Sequence, residues 1–271
     1  MDERQDETDT EAALPFAAPV RELGLSAPLC WLRAGLEDMR RAPALSLGYG
    51  VVMTLLSALI AALSWTFGTL GLYLGLATGF LFVGPVLALG LYSFSCQIEA
   101  GRRPVPGYCL REGGHHLKDL LLFSMVLLVI FLIWARAATL VHVFFPVEGD
   151  YTLRDLAGFL AIGSAVGAVF AGVVFTASAF SLPMIMDRKV DAITAVITSA
   201  NAVLRNKAAL LIWALIIFFC VLLGFATALL GFVFLLPLLG HATWHAYRDT
   251  IDASAWPLHE HQPARPAVGH Q

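Results

Sequence analysis

From Ala44 to Cys96 the chain carries no Asp, Glu, Lys or Arg. A run of that length cannot stay in water, and at 1.5 Å per residue it is too long for one bilayer crossing. The break that suggests itself is Ser64 to Thr69, which predicts spans at about 44–64 and 70–95. Two further apolar blocks predict spans at 120–145, interrupted only by Arg136, and at 156–186. The block 208–247 accommodates two short spans, 208–226 and 228–247, broken near Gly224–Thr227. The expectation is therefore an all-α integral membrane protein, a six-transmembrane-helix bundle over 26–249. Five spans result instead if 208–240 makes one steep crossing. Composition agrees: 58% of residues are hydrophobic and 14% charged, with a mean hydropathy of +0.76. Soluble domains carry roughly a quarter charged residues, so a soluble enzyme and a disordered chain are both excluded.

Charge sets the orientation. With six spans, one side collects Arg33, Arg40, Arg41, Arg102, Arg103, Arg111, Lys118, Arg188, Lys189, Arg205, Lys207 and Arg248. The other side collects Arg154, beside Glu148, Asp150 and Asp155. Both termini are thus expected in the cytoplasm. Residues 1–25 are acidic, with no apolar segment of signal-peptide type. They and residues 250–271 read as polar, disordered tails. Two amphipathic stretches read as interfacial helices. One starts at Ser26, with Leu29, Leu32, Leu36 and Met39 at helical spacing. The other is 190–205, with Ile193, Val196, Ile197, Ala200 and Leu204 on one stripe.

The segment from Gly79 to Leu87 matches that from Gly231 to Leu239, sharing Gly, Phe, Phe, Pro and Leu, and a fainter copy ends at Pro183. This predicts three helical-hairpin repeats in parallel orientation. Gly71, Gly75 and Gly79, and then Gly163 and Gly167, lie at small-xxx-small spacing and are assigned to helix packing. Pro85, Pro183 and Pro237 are assigned to helix kinks, because proline removes a backbone hydrogen bond.

Arg136 is the one charge deep within a span, which makes it a candidate for a ligand, lipid or partner contact. No carboxylate lies within a span to pair with it, as a proton- or sodium-coupled carrier would need. The richest polar stretch is 240–249, Gly-His-Ala-Thr-Trp-His-Ala-Tyr-Arg-Asp. Trp244, Tyr247, Arg248 and Asp249 are candidate partner or ligand residues at the membrane interface. His241 and His245 are four apart on one helix face, a spacing compatible with a metal ion or haem. His115, His116, Cys96 and Cys109 fall on the same side, but no third ligand is fixed by the sequence. The four cysteines show no metal or disulfide spacing. No nucleophile elbow, P-loop, zinc-protease motif or dinucleotide turn is present. No basic aromatic surface suggests nucleic acid.

Several segments together carry a resemblance. They are the hinge Arg40-Arg-Ala-Pro43, the stretch Gly84 to Tyr92 with Glu99-Ala-Gly101, Ser181-Leu-Pro183 with Asp187 to Ala192, and the closing Gly240 to Asp249. Over about 26–250 they resemble the bacterial integral-membrane family Domain of Unknown Function 2189, some members of which are labelled cytochrome c oxidase subunit I-like. The resemblance implies a multi-pass protein of the bacterial inner membrane. The oxidase label is not supported by the residues: of eight histidines, only His142, His241 and His245 lie at membrane depth, too few for two haems and copper. The expectation is a non-enzymatic structural, accessory or assembly protein without a cofactor. It would act through the lipid bilayer or a membrane-protein partner such as a respiratory complex. A small-solute or metal-ion transporter, or a metal- or haem-handling protein using His241 and His245, is the alternative.

Overall fold

The computed structural model describes residues 15–68, 87–106, 117–144 and 152–258, with side chains to residue 140 in the third stretch. The regular elements among them are helical: α1 Ala27–Arg41, α2 Pro43–Phe67, α4 Leu117–Phe144, α5 Leu153–Ser178, α6 Ser181–Asp187, α7 Ala192–Arg205, α8 Lys207–Ala226 and α9 Phe232–Thr250. Residues 87–99 form α3. Among the described residues, β pairing is confined to two isolated bridges, Val20 with Ile251 and Arg188 with Leu258.

Local chemistry explains the boundaries. Pro28 opens α1, where its missing N–H costs nothing, and Arg40 and Arg41 sit in its last turn, facing the negative end of the helix dipole. Pro43 excludes the helical region for the residue before it, so Ala42 alone separates α1 from α2. Gly101, at φ +71°, follows the end of α3 in the left-handed conformation glycine tolerates best. Thr152 and Asp155 close a reciprocal capping box at the start of α5. Asp191 caps α7 by accepting from the N–H of Thr194.

Among the described residues, four helical stretches are long and apolar enough to cross a membrane: Pro43–Phe67, Leu117–Leu140, Leu153–Asp187 and Lys207–Ala226. They match four of the expected spans. The expected span 70–95 falls largely on 69–86, outside the described residues, as do Gly71, Gly75, Gly79 and Pro85. The stretch expected as the sixth span, 228–247, is α9. Its second half holds His241, Thr243, His245, Arg248 and Asp249, too polar for it to count among the four. The span expected at 156–186, with a kink at Pro183, divides at Ala179–Phe180. Pro183 explains this, since its ring would clash with the carbonyl of residue 179, so the proline displaces the break four residues upstream of itself. Pro237 does lie within its helix.

The helices pair as hairpins. Tyr49 of α2 donates its hydroxyl to the carbonyl of Leu87 in α3 (2.6 Å), α4 packs along α5, and Gly224 of α8 meets the ring of Phe232 in α9. Burial concentrates at one end. On α4 it covers Leu120, Phe123, Ser124 and Leu127, on α5 Ala177, and on α8 Ala209, Leu210 and Trp213 near the start and Gly224 near the end. These ends, with α1, α6, α7 and the second half of α9, share one apolar core and form a cap. Beyond the cap the helices present exposed Leu, Val, Ile and Phe side chains, among them Leu132, Leu160, Val169 and Phe219. That is what a lipid-facing surface requires.

Residues 18–23 and 251–256, which the sequence assigns to the tails, are part of the cap. The N–H of Ala18 donates to Thr198 Oγ1 (3.1 Å), that of Arg21 to the carbonyl of Thr250 (2.9 Å), and that of Asp252 to the carbonyl of Pro19 (2.9 Å).

Candidate functional site

The centre of the cap is α9, which packs against α1 and, running antiparallel, against α2. Two glycines let the backbones approach. A Cβ on Gly35 would stand 2.7 Å from the amide nitrogen of Ala242, and one on Gly50 would run into the carbonyl of Val233. Val233 is the residue whose carbonyl loses its helical donor to Pro237. The proline and the glycine therefore act together: one strips the carbonyl, the other brings a neighbouring backbone against it. By contrast, a Cβ at Gly163 or Gly167 would meet nothing within 4 Å. Among the described residues, nothing packs against these two glycines. Close contacts are made at Gly35, Gly50, Gly90, Gly224, Gly231 and Gly240.

The polar side chains of 240–249 point to partners on other helices. His241 is fully buried, with Nε2 2.9 Å from Ser46 Oγ on α2 and Nδ1 2.7 Å from Ser95 Oγ on α3. A neutral imidazole needs one donor and one acceptor, and two hydroxyls supply either role. His245 Nε2 lies 2.8 Å from Asp38 Oδ2 on α1. Trp244 donates Nε1–H to Glu99 Oε2 (3.0 Å), and Arg248 donates to Glu99 Oε1 (3.2 Å). Tyr247 donates its hydroxyl to Asp187 Oδ2 (2.7 Å). Asp187, without solvent exposure, also receives Arg188 Nε at 3.2 Å and has Arg248 at 3.9 Å. Asp249 accepts from Trp31 Nε1–H (2.9 Å), and Trp31 stacks edge-on against Trp213 of α8. One helix thus ties α1, α2, α3 and α6 together through buried polar bonds, which are strong in a low dielectric when every member is satisfied.

This arrangement alters the meaning of the motif. His241 and His245 share a helix face, yet each is spent on a different protein partner. No three His, Cys, Asp or Glu side chains gather to hold a metal among the described residues. Cys109, His115, His116 and the side chain of His142 lie outside those residues. Of the partners, Asp38, Ser46 and Ser95 escape sequence reasoning, and Glu99 and Asp187 stand in segments of the resemblance that say nothing of their bonds. Their common signal is weak: small or acidic residues just inside or beside the predicted spans, with no spacing that links them to 240–249.

Arg136 lies well away from the cap, exposed on α4. Its carbonyl accepts from Thr139 Oγ1 (2.7 Å), and among the described residues its guanidinium makes no ion pair. Glu148 and Asp150, the acids that follow α4 in the chain, lie outside those residues.

No curated protein and no solved structure matches the chain. The match to a known family ends at Asp187, short of the 240–249 stretch, and is narrower than the 26–250 suggested by the motifs. Over residues 72–187 the chain matches the family described as predicted integral membrane protein, DUF2189, the family its motifs resemble.

Proposed function

We propose that this protein is a non-enzymatic membrane scaffold of the bacterial inner membrane, working through membrane-protein and lipid partners and requiring no cofactor. The observation that carries the reading is the commitment of the 240–249 side chains to internal partners. His241, Trp244, His245, Tyr247, Arg248 and Asp249 all bond within the chain, so the motif is a lock that joins hairpins. What remains for partners is the outer surface: the exposed apolar flanks, Arg136 and the basic rim of the cap. We read the cap as cytoplasmic, with six crossings arranged as three hairpins. Two observations support this. Arg33, Arg40, Arg41, Lys118, Arg205 and Lys207 lie at the cap end, as cytoplasmic loops require. The Val20–Ile251 bridge puts both chain ends together, as an even number of crossings requires.

The test is purification of the tagged protein from native membranes in mild detergent, with identification of what accompanies it. Stoichiometric respiratory or assembly proteins support the scaffold reading. A preparation free of partners counts against it and favours transport. Metal handling has its own test, the His241→Ala/His245→Ala variant compared with wild type for bound metal. The scaffold reading expects the two to be equal, and metal present in the wild type but lost in the variant would overturn it. Reporters fused after Asp150 and after Asp191 should report periplasm and cytoplasm respectively, and the reverse pair overturns the orientation.

A further inference from the structure

We infer that a cleft at the rim of the cap holds the phosphate group of an anionic phospholipid. The cleft has a volume of about 480 Å³ and lies between the N-terminal strap, with Arg21, Glu22 and Leu23, and the α7–α8 corner, with Arg205, Asn206 and Lys207. Three cations from three separate elements meet there against one carboxylate. Arg205 and Lys207 are exposed, and among the described residues neither makes an ion pair. Arg21 is held in place by Nη1, which donates to the carbonyls of Arg248 and Asp249 at 2.9 and 3.3 Å.

The cleft wall is built. Asn206, only 8% exposed, accepts from the N–H of Leu23 (2.9 Å) and donates Nδ2–H to the carbonyl of Arg21 (3.0 Å). These bonds fix the strap against the corner and hold the mouth open. They also divert Asn206 from capping its own helix, so the first turn of α8, which lines the cleft, has no side-chain cap. The positive end of the helix dipole adds to the three cations.

Position selects the source of the phosphate. Lys207 begins the candidate span Lys207–Ala226, and the amphipathic α7 ends at Arg205, so the cleft sits where hydrocarbon gives way to water. From it, Leu211, Leu215, Phe218 and Leu222 run down α8 as one exposed stripe at helical spacing. Free phosphate would use the cleft and leave the stripe idle. A phospholipid uses both, its headgroup among the cations and its acyl chains along the stripe, and basic pockets beside membrane helices suit such headgroups. The inference deepens the scaffold reading and rests on it for the membrane placement of α8.

The experiment uses the full chain in mild detergent and native mass spectrometry, with phosphatidylglycerol or phosphatidylcholine added to wild type and to Arg205→Gln/Lys207→Gln. The wild type should retain phosphatidylglycerol in preference to phosphatidylcholine. The double variant should bind it some 10- to 30-fold more weakly, at about fivefold per cation. Equal retention of the two lipids, or unchanged phosphatidylglycerol binding in the variant, overturns the site. Inorganic phosphate that fails to displace the lipid supports the lipid source; displacement, with phosphate binding lost in the variant, overturns it in favour of the free ion. Should the variant not fold, salt raised about tenfold must weaken phosphatidylglycerol binding to the wild type; binding indifferent to salt overturns the proposal. Co-purifying proteins are identified in the same preparations. A partner without lipid preference sinks this site alone, whereas neither partner nor lipid preference sinks both readings.

Discussion

At the cap end, α9 is surrounded: His241, Trp244 and Tyr247 have almost no exposed surface, and buried serines and carboxylates answer each of its polar groups. Toward the other end, α5 buries only Ala177 among its twenty-six residues, at its cap side. One region is packed against protein, and the other turns outward the apolar side chains that a lipid-facing surface requires. In hydrocarbon, two apolar helices gain no hydrophobic advantage by meeting. Lateral association of the hairpins must therefore come from where polar groups and small residues meet, and both are concentrated at the cap. The apolar ends can splay without penalty, and the polar ends cannot.

Substitutions at the two regions can break or sharpen this contrast, with unfolding in mixed detergent micelles as the readout. The largest effect is expected from Asp187→Ala, which leaves Arg188, Arg248 and the Tyr247 hydroxyl without their shared acceptor. Breaking a buried pair from one side costs about 3–5 kcal/mol. A loss below about 1 kcal/mol would mean that the cap is not the source of stability. Next come matched glycines. Gly50→Ala should destabilise by ~2–3 kcal/mol, because its methyl would meet the Val233 carbonyl. Gly163→Ala, with open space around it, should be neutral or stabilising by up to ~1 kcal/mol. Equal losses at the two sites would erase the distinction, and a large loss at Gly163 would reveal a partner on the α5 face.

The smallest cap effect is expected at the surface. Burial alone would raise the carboxyl of Asp191, but hydrogen bonds from Thr194 N–H and Oγ1 at 2.9 and 2.7 Å outweigh it and hold it below its ordinary value of 3.8. Asp191→Ala should cost ~1 kcal/mol at neutral pH through loss of the α7 cap. A depressed carboxyl stabilises the fold above its unfolded value and loses that contribution as pH falls through the folded one. The gap between wild type and variant should therefore be full at pH 7 and narrow below about pH 4. A gap that widens with acid would contradict the assigned bonds.

Hydropathy alone locates four of the spans, because the need to bury twenty apolar residues is local and leaves a continuous mark in the chain. The break at Ala179 is half legible: Pro183 announces an interruption but not that it falls four residues earlier. The cap is legible only as a polar stretch at 240–249. What the stretch does depends on Ser46 and Asp38, about two hundred residues upstream, and on Ser95, Glu99 and Asp187, none of which spacing can join to it. Paired histidines four apart look the same whether they face a metal or two separate helices. The glycines show a related limit: a regular small-residue spacing is visible in sequence, whereas a single close approach such as Gly50 against Val233 leaves no pattern.

The seating of α9 on α1 and α2 also fixes an order in time. The chain emerges from the ribosome with α1 and α2 first, and their principal partner follows roughly two hundred residues later. At ~5–20 residues per second, Asp38, Ser46 and Gly50 wait ~10–40 s before His245, His241 and Val233 reach them. During that interval a polar face and an open backbone groove stand at the membrane surface, unclaimed. A nascent chain stalled before residue 232 would display them indefinitely, a mark by which membrane quality control could tell an unfinished copy from a completed one.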